Sequence, residues 1–379
     1  MVIAISVALI CMLLFAGVAV PLAFAGVLIF LAFVGGYNVS GFLPTGHWKM
    51  TTVVILVIPL FILAGDILNN GKIASPIVDM PEMILGRVRG GLSGASVVAS
   101  AMFGAISGSG AATLTCIGSV MMPHLRKARY PEGFSAALLV AASPLGLLIP
   151  PSSAQLIYAW ITQQSVLKCF LATLLPGIIV ALLLVGINLI MMRNQVGIVK
   201  PEASENFVRD FGRKTFVAMP ALFMPFIILG GIYGGIMTPT EAAGVAVFYA
   251  IPVGFFVYKG LTRKIFLETL RESGVTIGVV MVIIFMVLIV SATLLLPIAK
   301  SVGVDPIHFA AILGVNLGMG NITPPTAPLL FLGARVTGAP VEKMLGPTMI
   351  FIVFAWMPTL ALTTFIPGIA LWLPELLLG

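Results

Sequence analysis

The chain has 379 residues, of which 60% are hydrophobic and 9% charged, with a mean hydropathy of +1.16 and a formal net charge of +7. A soluble domain carries about 25% charged residues, so this composition excludes a water-soluble globular protein and points to an all-α polytopic membrane protein. The basic excess lies in short loops between apolar runs, which gives no sign of a nucleic-acid partner, and Cys11, Cys116 and Cys169 are too scattered for a disulfide or metal framework.

Met1–Gly36 is too long for one helix and breaks around Gly17–Pro21, giving two short spans. Its first run has no basic n-region and leads straight into the next, so no cleavable leader is expected. Tyr37–Lys49 reads as a polar loop and 51–69 as a span. "IASPIVDMPEMILGRV" (73–88) mixes charge with apolar positions, as an interfacial amphipathic helix does. Residues 91–124 are rich in Gly, Ala and Ser. Their centre, "AISGSGAAT" (Ala105–Thr113), reads as the tip of a re-entrant hairpin, where the hydroxyls of Ser107, Ser109 and Thr113 and nearby carbonyls suit a hard cation such as sodium. Small residues alone would also serve as a helix-packing seam. Apolar stretches follow at 131–162, 166–192, 216–236, 241–257, 274–291, 306–334 and 345–373. The charged linkers 193–214 and 258–272 should face water.

Basic residues fix the orientation. With 193–214 in the cytoplasm and 91–124 counted as a hairpin, all of the 20 Lys and Arg except Lys49, Lys168 and Lys300 fall inside. The amino terminus is then periplasmic.

An internal repeat explains the prolines. "MMPHLRKARYPEGFSAALLVAASPLGLLIPPSSAQLIYA" from Met121 aligns with "LLPIAKSVGVDPIHFAAILGVNLGMGNITPPTAPLLFLGA" from Leu295. Pro123 matches Pro297, Pro131 matches Pro306, Gly146 matches Gly320, and Pro150–Pro151 match Pro324–Pro325. Proline costs about 3 kcal/mol inside a helix, so each copy holds a helix broken at its midpoint. By the span count the copies run in opposite directions, the inverted-repeat plan of secondary transporters, with sites where the helices unwind. A side chain at Gly146 or Gly320 is expected to intrude on the unwound backbone.

The chain resembles the large membrane subunit of tripartite ATP-independent periplasmic (TRAP) transporters. The resemblance rests on "LAGDILNNGKIA" (63–74), "GAISGSGAAT", "PLGLLIPPS" (144–152), "GGIMTPTEAAGVAVFYA" (234–250) and "NLGMGNITPP" (316–325), in order over nearly the whole chain. It implies a sodium-coupled elevator importer of an organic acid in the bacterial inner membrane, embedded in lipid. A small membrane subunit and a soluble periplasmic binding protein would accompany it. "PLGLLIPPSSAQLIYAW" followed by "SVLKCFLAT" is most similar to sialic-acid members, and dicarboxylate and sugar-acid members share much of it. Carried over, Ser107, Gly108 and Ser109 would hold one sodium with carbonyls of Gly146, Ile149 and Pro150. Gly320, Asn321 and Thr323 would flank another, and Ser109, Ser152 and Ser153 would reach the substrate. The implied organisation is scaffold spans and an arm helix over 1–90, a first hairpin and broken helix over 91–165, scaffold over 166–291, an incomplete second repeat over 292–344, and a last span over 345–379.

Among single polar residues, Glu241 is expected to cap a helix start. Asp66 is expected near an interface, and His124 and His308 in loops. Trp160, Trp356 and Trp372 read as packing or interface anchors. A rhomboid-like protease would need a base helix, a channel a polar stripe on several helices, and an ATPase a GxxxxGK[ST] loop; the sequence has none of these. The repeat is also unequal. Pro123 follows Gly65 by 58 positions, whereas Pro297 follows the span ending at Ser291 by 6. A span end at the outer face and a hairpin arm starting near mid-membrane cannot be bonded neighbours, with Cα atoms 3.8 Å apart, so a gap in the chain is expected between Ser291 and Ala292.

Overall fold

The computed structural model describes the chain apart from residues 1, 19, 35–43, 45–46, 48–49, 87, 196, 200–206, 302 and 325–326. Much of the expected loop 37–49 and the second proline of the second pair, Pro325, lie outside the described residues. Among the described residues all regular structure is helical, as it must be where lipid cannot satisfy the backbone.

Helices α1 (Val2–Phe15) and α2 (Val20–Phe33) part at Gly17, whose φ of +78° ends the first helix in the left-handed region. Helix α3 (Val57–Asn70) buries Val57, Phe61, Ala64 and Leu68, a stripe with helical spacing. Helix α4 (Ala74–Leu85) is the amphipathic segment: Ile77 and Val78 are fully buried, Ile84 is exposed, and Asp79 lies 3.8 Å from Lys214.

Helices α5 (Gly91–Ser107) and α6 (Gly110–Lys127) form the expected hairpin. Its two ends meet, since Tyr130, just past α6, lies against Gly90, Leu92 and Ser93 at the start of α5. Asn188 clamps that base, donating to the Gly90 carbonyl at 2.7 Å and accepting from the Ser93 hydroxyl at 2.6 Å. The first broken helix is α7 (Glu132–Ala142), the single turn α8 (Leu145–Leu148) and α9 (Ser153–Thr162).

Three long helices follow: α10 (Val166–Met192), α11 (Phe207–Tyr233) and α12 (Pro239–Pro252), the last extended by a π turn over 253–257. At the start of α12 Glu241 caps as expected. Thr238 accepts from the Glu241 N–H at 3.3 Å, and Glu241 Oε2 accepts from the Thr238 N–H at 2.7 Å. Helix α13 (Arg263–Ser301) leads to the second broken helix, α14 (Pro306–Gly320) and α15 (Pro328–Thr337). Helix α16 (Val341–Phe351) continues through a π turn into α17 (Met357–Phe365), and α18 (Gly368–Leu378) lies along α10. Five of the described helical stretches are long and apolar enough to cross a membrane, including Glu132–Thr162 and Val341–Phe365. The protein is an all-α polytopic membrane protein.

The two broken helices lie side by side and antiparallel. Tyr158 donates to the Pro306 carbonyl at 2.7 Å and Gln155 to the Ala310 carbonyl at 3.1 Å. A Cβ at Gly314 would touch Leu148, one at Gly318 would touch Pro144, and one at Gly333 would touch Val140. As numbers fall along the first helix they rise along the second, which is what inversion of the repeat requires.

The expected gap between Ser291 and Ala292, and the boundary placed there, fall within α13, which is helical over its 39 residues. Two expectations are corrected. His124 is not a loop residue but stands in the last turn of α6, 3.2 Å from Glu82. His308 is not one either. It is buried in the first turn of α14, with Nε2 2.7 Å from the Thr363 carbonyl, because Asp305 caps that helix and starts it two residues earlier. Asp66 is half-buried on α3 and accepts from Ser273 of α13 at 2.7 Å.

Candidate functional site

The hairpin tip is made by Gly108. Its φ of +61° lets α5 stop and the chain reverse, a conformation that costs other residues steric strain. Ser109 follows in extended conformation and caps α6, accepting from the Ala112 N–H at 3.4 Å. The Ser109 carbonyl accepts from Thr113 Oγ1 at 2.8 Å, and Ser107 Oγ lies 3.3 Å from Thr113 Oγ1. Three hydroxyls and a turn of carbonyls thus converge within one residue cluster, and Ser107 and Thr113 are buried.

This tip sits on the first helix break. The Gly108 carbonyl accepts from Ser153 Oγ at 3.0 Å and from Ser153 N–H at 3.4 Å. A Cβ on Gly108 would stand 2.7 Å from the Pro151 carbonyl oxygen. One on Gly146 would meet Thr113 Oγ1 at 2.9 Å and the Ser109 carbonyl oxygen at 3.0 Å. So Ser107, Gly108, Ser109, Gly146 and Ser153 lie together, and Gly146, Pro150 and Pro151 are buried. Ile149 is extended at the break and turns its side chain toward α10, where a Cβ on Gly177 would lie 3.3 Å from Ile149 Cγ1. Ser152 is fully buried and donates to the Leu147 carbonyl at 2.8 Å.

Helix ends of opposite sign meet here. The carbonyl ends of α5 and α7 favour a cation, and the N–H ends of α6 and α9 favour an anion. The site can therefore hold a hard cation beside a carboxylate.

The second break is different. Gly320 is exposed, and a Cβ there meets no atom within 4 Å among the described residues. A side chain at Gly146 would press on the tip, whereas one at Gly320 meets none of the described residues. Thr323 Oγ1 donates to the Met319 carbonyl at 2.7 Å, the Asn321 carbonyl accepts from the Leu329 N–H at 3.0 Å, and Leu329 packs on the hairpin, where a Cβ on Gly110 would lie 3.3 Å from its Cδ1. Asn321 and Thr323 are half-buried.

Sequence reasoning missed Gly104, Gly65, Gln155 and a role for Trp356 at the breaks. A Cβ at Gly104 would lie 2.6 Å from Gly146 Cα, and one at Gly65 3.1 Å from the Ser107 carbonyl oxygen. The Gly104-x-x-x-Gly108 spacing is the readable signal for such close approach. Gln155, buried in the first turn after the break, ties α9 to α14. Trp356 is buried between the breaks, donating to the Ala141 carbonyl at 3.2 Å, with its ring where a Cβ on Gly318 would fall. A cleft of about 410 Å³ separates Asn69, Asn70 and Lys72 at the end of α3 from Thr115 and Ser119 of α6 and Val336 of α15.

Comparison with known proteins agrees with this architecture. The family model described as the DctM component of the tripartite ATP-independent periplasmic transporter matches residues 5–294 and 284–369, two pieces that overlap at 284–294. The C4-dicarboxylate TRAP transporter large permease protein DctM of Pseudomonas aeruginosa is 32% identical, over 85% of this chain and 86% of its own length. The sialic acid TRAP transporter large permease protein SiaM of Vibrio cholerae is 29% identical, over 86% of this chain and 87% of its own. The isethionate TRAP transporter permease protein DctMQ of Oleidesulfovibrio alaskensis is 31% identical, and this chain spans 58% of that protein's length. The Pseudomonas alignment is 375 positions long but takes up 85% of the 379 residues here, about 322, so about fifty of its positions hold no residue of this chain. The chain is a transporter permease rather than an enzyme, and it belongs to the DctM family of tripartite ATP-independent periplasmic transporters.

Proposed function

We propose that this permease is the large membrane subunit of a sodium-coupled importer that moves an organic acid by an elevator motion in the bacterial inner membrane. The observation that carries the reading is the hairpin tip seated on the first helix break. There the buried Thr113 hydroxyl and the Ser109 carbonyl face Gly146, with the buried Ser107 hydroxyl 3.3 Å from that of Thr113. Oxygen donors alone suit a hard monovalent cation, and the adjoining N–H ends of α6 and α9 suit the carboxylate it would accompany. In an elevator, the hairpin and the two broken helices would move together past α3 and the long helices, and the cleft at Lys72 lies along that boundary. A small membrane subunit and a periplasmic binding protein would complete the system, the second delivering the acid. The motif after Pro144 favours sialic acid. A C4-dicarboxylate is the alternative, supported by the relative from Pseudomonas.

Cation selectivity tests the reading. Sodium, but neither potassium nor choline, should raise the melting temperature of the purified protein in a saturable way. Equal stabilisation by all three would refute a sodium site at the tip.

A further inference from the structure

We propose that the cleft between α3 and α6 is a second station for the transported acid, an exit site on the cytoplasmic side where the Lys72 ammonium and the Asn69 amide hold the carboxylate after it leaves the hairpin tip. The proposal rests on the import reading above and names the class of acid that the station suits.

The walls place the cleft on the way out. One wall is the end of α3, with Asn69, Asn70 and Lys72, and the other is Thr115 and Ser119 of α6 with Val336 of α15. Helices α6 and α15 pack together there, since a Cβ on Gly118 would lie 3.1 Å from Val336 Cγ1. The distribution of basic residues puts Lys72 and the hairpin base at Arg126 and Lys127 on the cytoplasmic face. From the tip at Ser109, α6 runs about 15 Å to Ser119 at 1.5 Å per residue. Along that length it turns small and polar residues outward: Ala111 and Ser119 are exposed and Thr115 is half-buried, at four-residue spacing. Among the described residues of α5 and α6 no large apolar side chain is exposed, whereas α11 exposes Phe216, Phe223 and Phe226. A membrane helix with such a polar face borders a water-filled space rather than lipid.

Lys72 is fixed at the rim of that space. Its φ of +59° is a conformation that favours glycine, yet the glycine stands one position earlier. Gly71 is needed where it is, because a Cβ there would lie 2.9 Å from the Ile67 carbonyl oxygen and 3.4 Å from Gly254 Cα. Gly260 closes over the pair: a Cβ on it would strike the Gly71 carbonyl and stand 2.9 Å from Lys72 Cβ. Backbone strain held by its surroundings points to a use for the side chain it carries. Lys72 is exposed, and among the described residues no carboxylate pairs with it. Asp66, a turn before Asn70, is engaged by Ser273 of α13.

The lining also selects. Lys72 is the one charged residue among the described residues that line the cleft, so a single carboxylate can be neutralised there. Thr115 Oγ1 donates to the Ala111 carbonyl at 2.9 Å and Ser119 Oγ to the Cys116 carbonyl at 2.9 Å, which leaves both oxygens as acceptors. Acceptors suit hydroxyl groups on a ligand and repel a second carboxylate. At about 410 Å³ the cleft has the size of a small-molecule site, and its chemistry fits a hydroxylated monocarboxylate, a sugar acid, over a dicarboxylate.

Thiol protection in sodium-free buffer tests the station apart from the tip. In a Cys11→Ser, Ser119→Cys protein the introduced thiol stands in the cleft, and a maleimide should label it readily. Gluconate should slow that labelling saturably, and succinate at equal ionic strength should slow it far less. Lys72→Gln should raise the half-protecting gluconate concentration about tenfold, the effect of losing a hydrogen bond to a charged group. Lys72→Gly, which suits the +59° backbone, should do the same. An unlabelled thiol, no protection by gluconate, or protection unchanged in both Lys72 variants would overturn the exit site. Equal protection by succinate would overturn the class of acid. Loss of sodium-specific stabilisation with gluconate protection intact would overturn the sodium reading and leave the exit site standing.

Discussion

Gly104→Ala is the sharpest perturbation of the site, because it adds one methyl where two backbones touch. The new Cβ would stand 2.6 Å from Gly146 Cα and 2.8 Å from Gly146 N, against an ordinary contact of 3.4–4 Å. Neither neighbour is a side chain that can swing away, so α5 and α8 must part by about 1 Å. That movement stretches the 3.0 Å bond from Ser153 to the Gly108 carbonyl beyond hydrogen-bond range. Overpacking of this kind costs ~1–3 kcal/mol, and the lost hydrogen bond ~0.5–1.5 kcal/mol. If half of that strain must be reversed to gather the tip around a cation, sodium affinity falls by about 1–2 kcal/mol, or roughly five- to thirty-fold. Sodium titrations of thermal stability measure this directly. Gly186→Ala on α10 is the control, since a Cβ there meets nothing within 4 Å among the described residues. A Gly104→Ala protein that titrates like the wild type would refute the idea that close packing of α5 on the break forms the site.

Two other substitutions probe different links. Gly320→Val should leave the sodium midpoint within about twofold, as an exposed position away from special features usually shifts stability by no more than ~0.5 kcal/mol; a tenfold loss would mean that the second break is closed. Thr238→Ala removes the capping box of α12 and should cost ~1 kcal/mol of stability, read as a lower melting temperature with an unchanged sodium midpoint.

The broken helices were legible because proline and glycine carry strong local meaning. Matched pairs at Pro150–Pro151 and Pro324–Pro325 fixed two breaks, and the spacing fixed their symmetry. The hairpin was legible from Ser-Gly-Ser-Gly flanked by basic residues, and the α12 cap from Thr-Pro-Thr-Glu. What escaped depends on partners distant in sequence. That Gly104 touches Gly146, that Trp356 fills the space between the breaks and that His308 is buried against Thr363 are facts of packing between segments 42 to 215 positions apart. Nor did the matched sequence at the second break reveal that Leu329, just beyond it, packs on Gly110 of the hairpin.

The order of synthesis gives the antiparallel pairing a further consequence. The partners of α7–α9 on α14 and α15 lie 148 to 193 positions downstream, as in Tyr158 with Pro306 and Val140 with Gly333. At ~5–20 residues per second the ribosome needs roughly ten to forty seconds to make them. Through that interval the unwound backbone at Pro150–Pro151 would stand in lipid with unmet hydrogen bonds. The hairpin emerges just before it, however, and Gly108 can already accept from Ser153. The hairpin thus acts as a built-in escort for the nascent break, and the second break, with no such escort ahead of it, must rely on the finished first half to receive it.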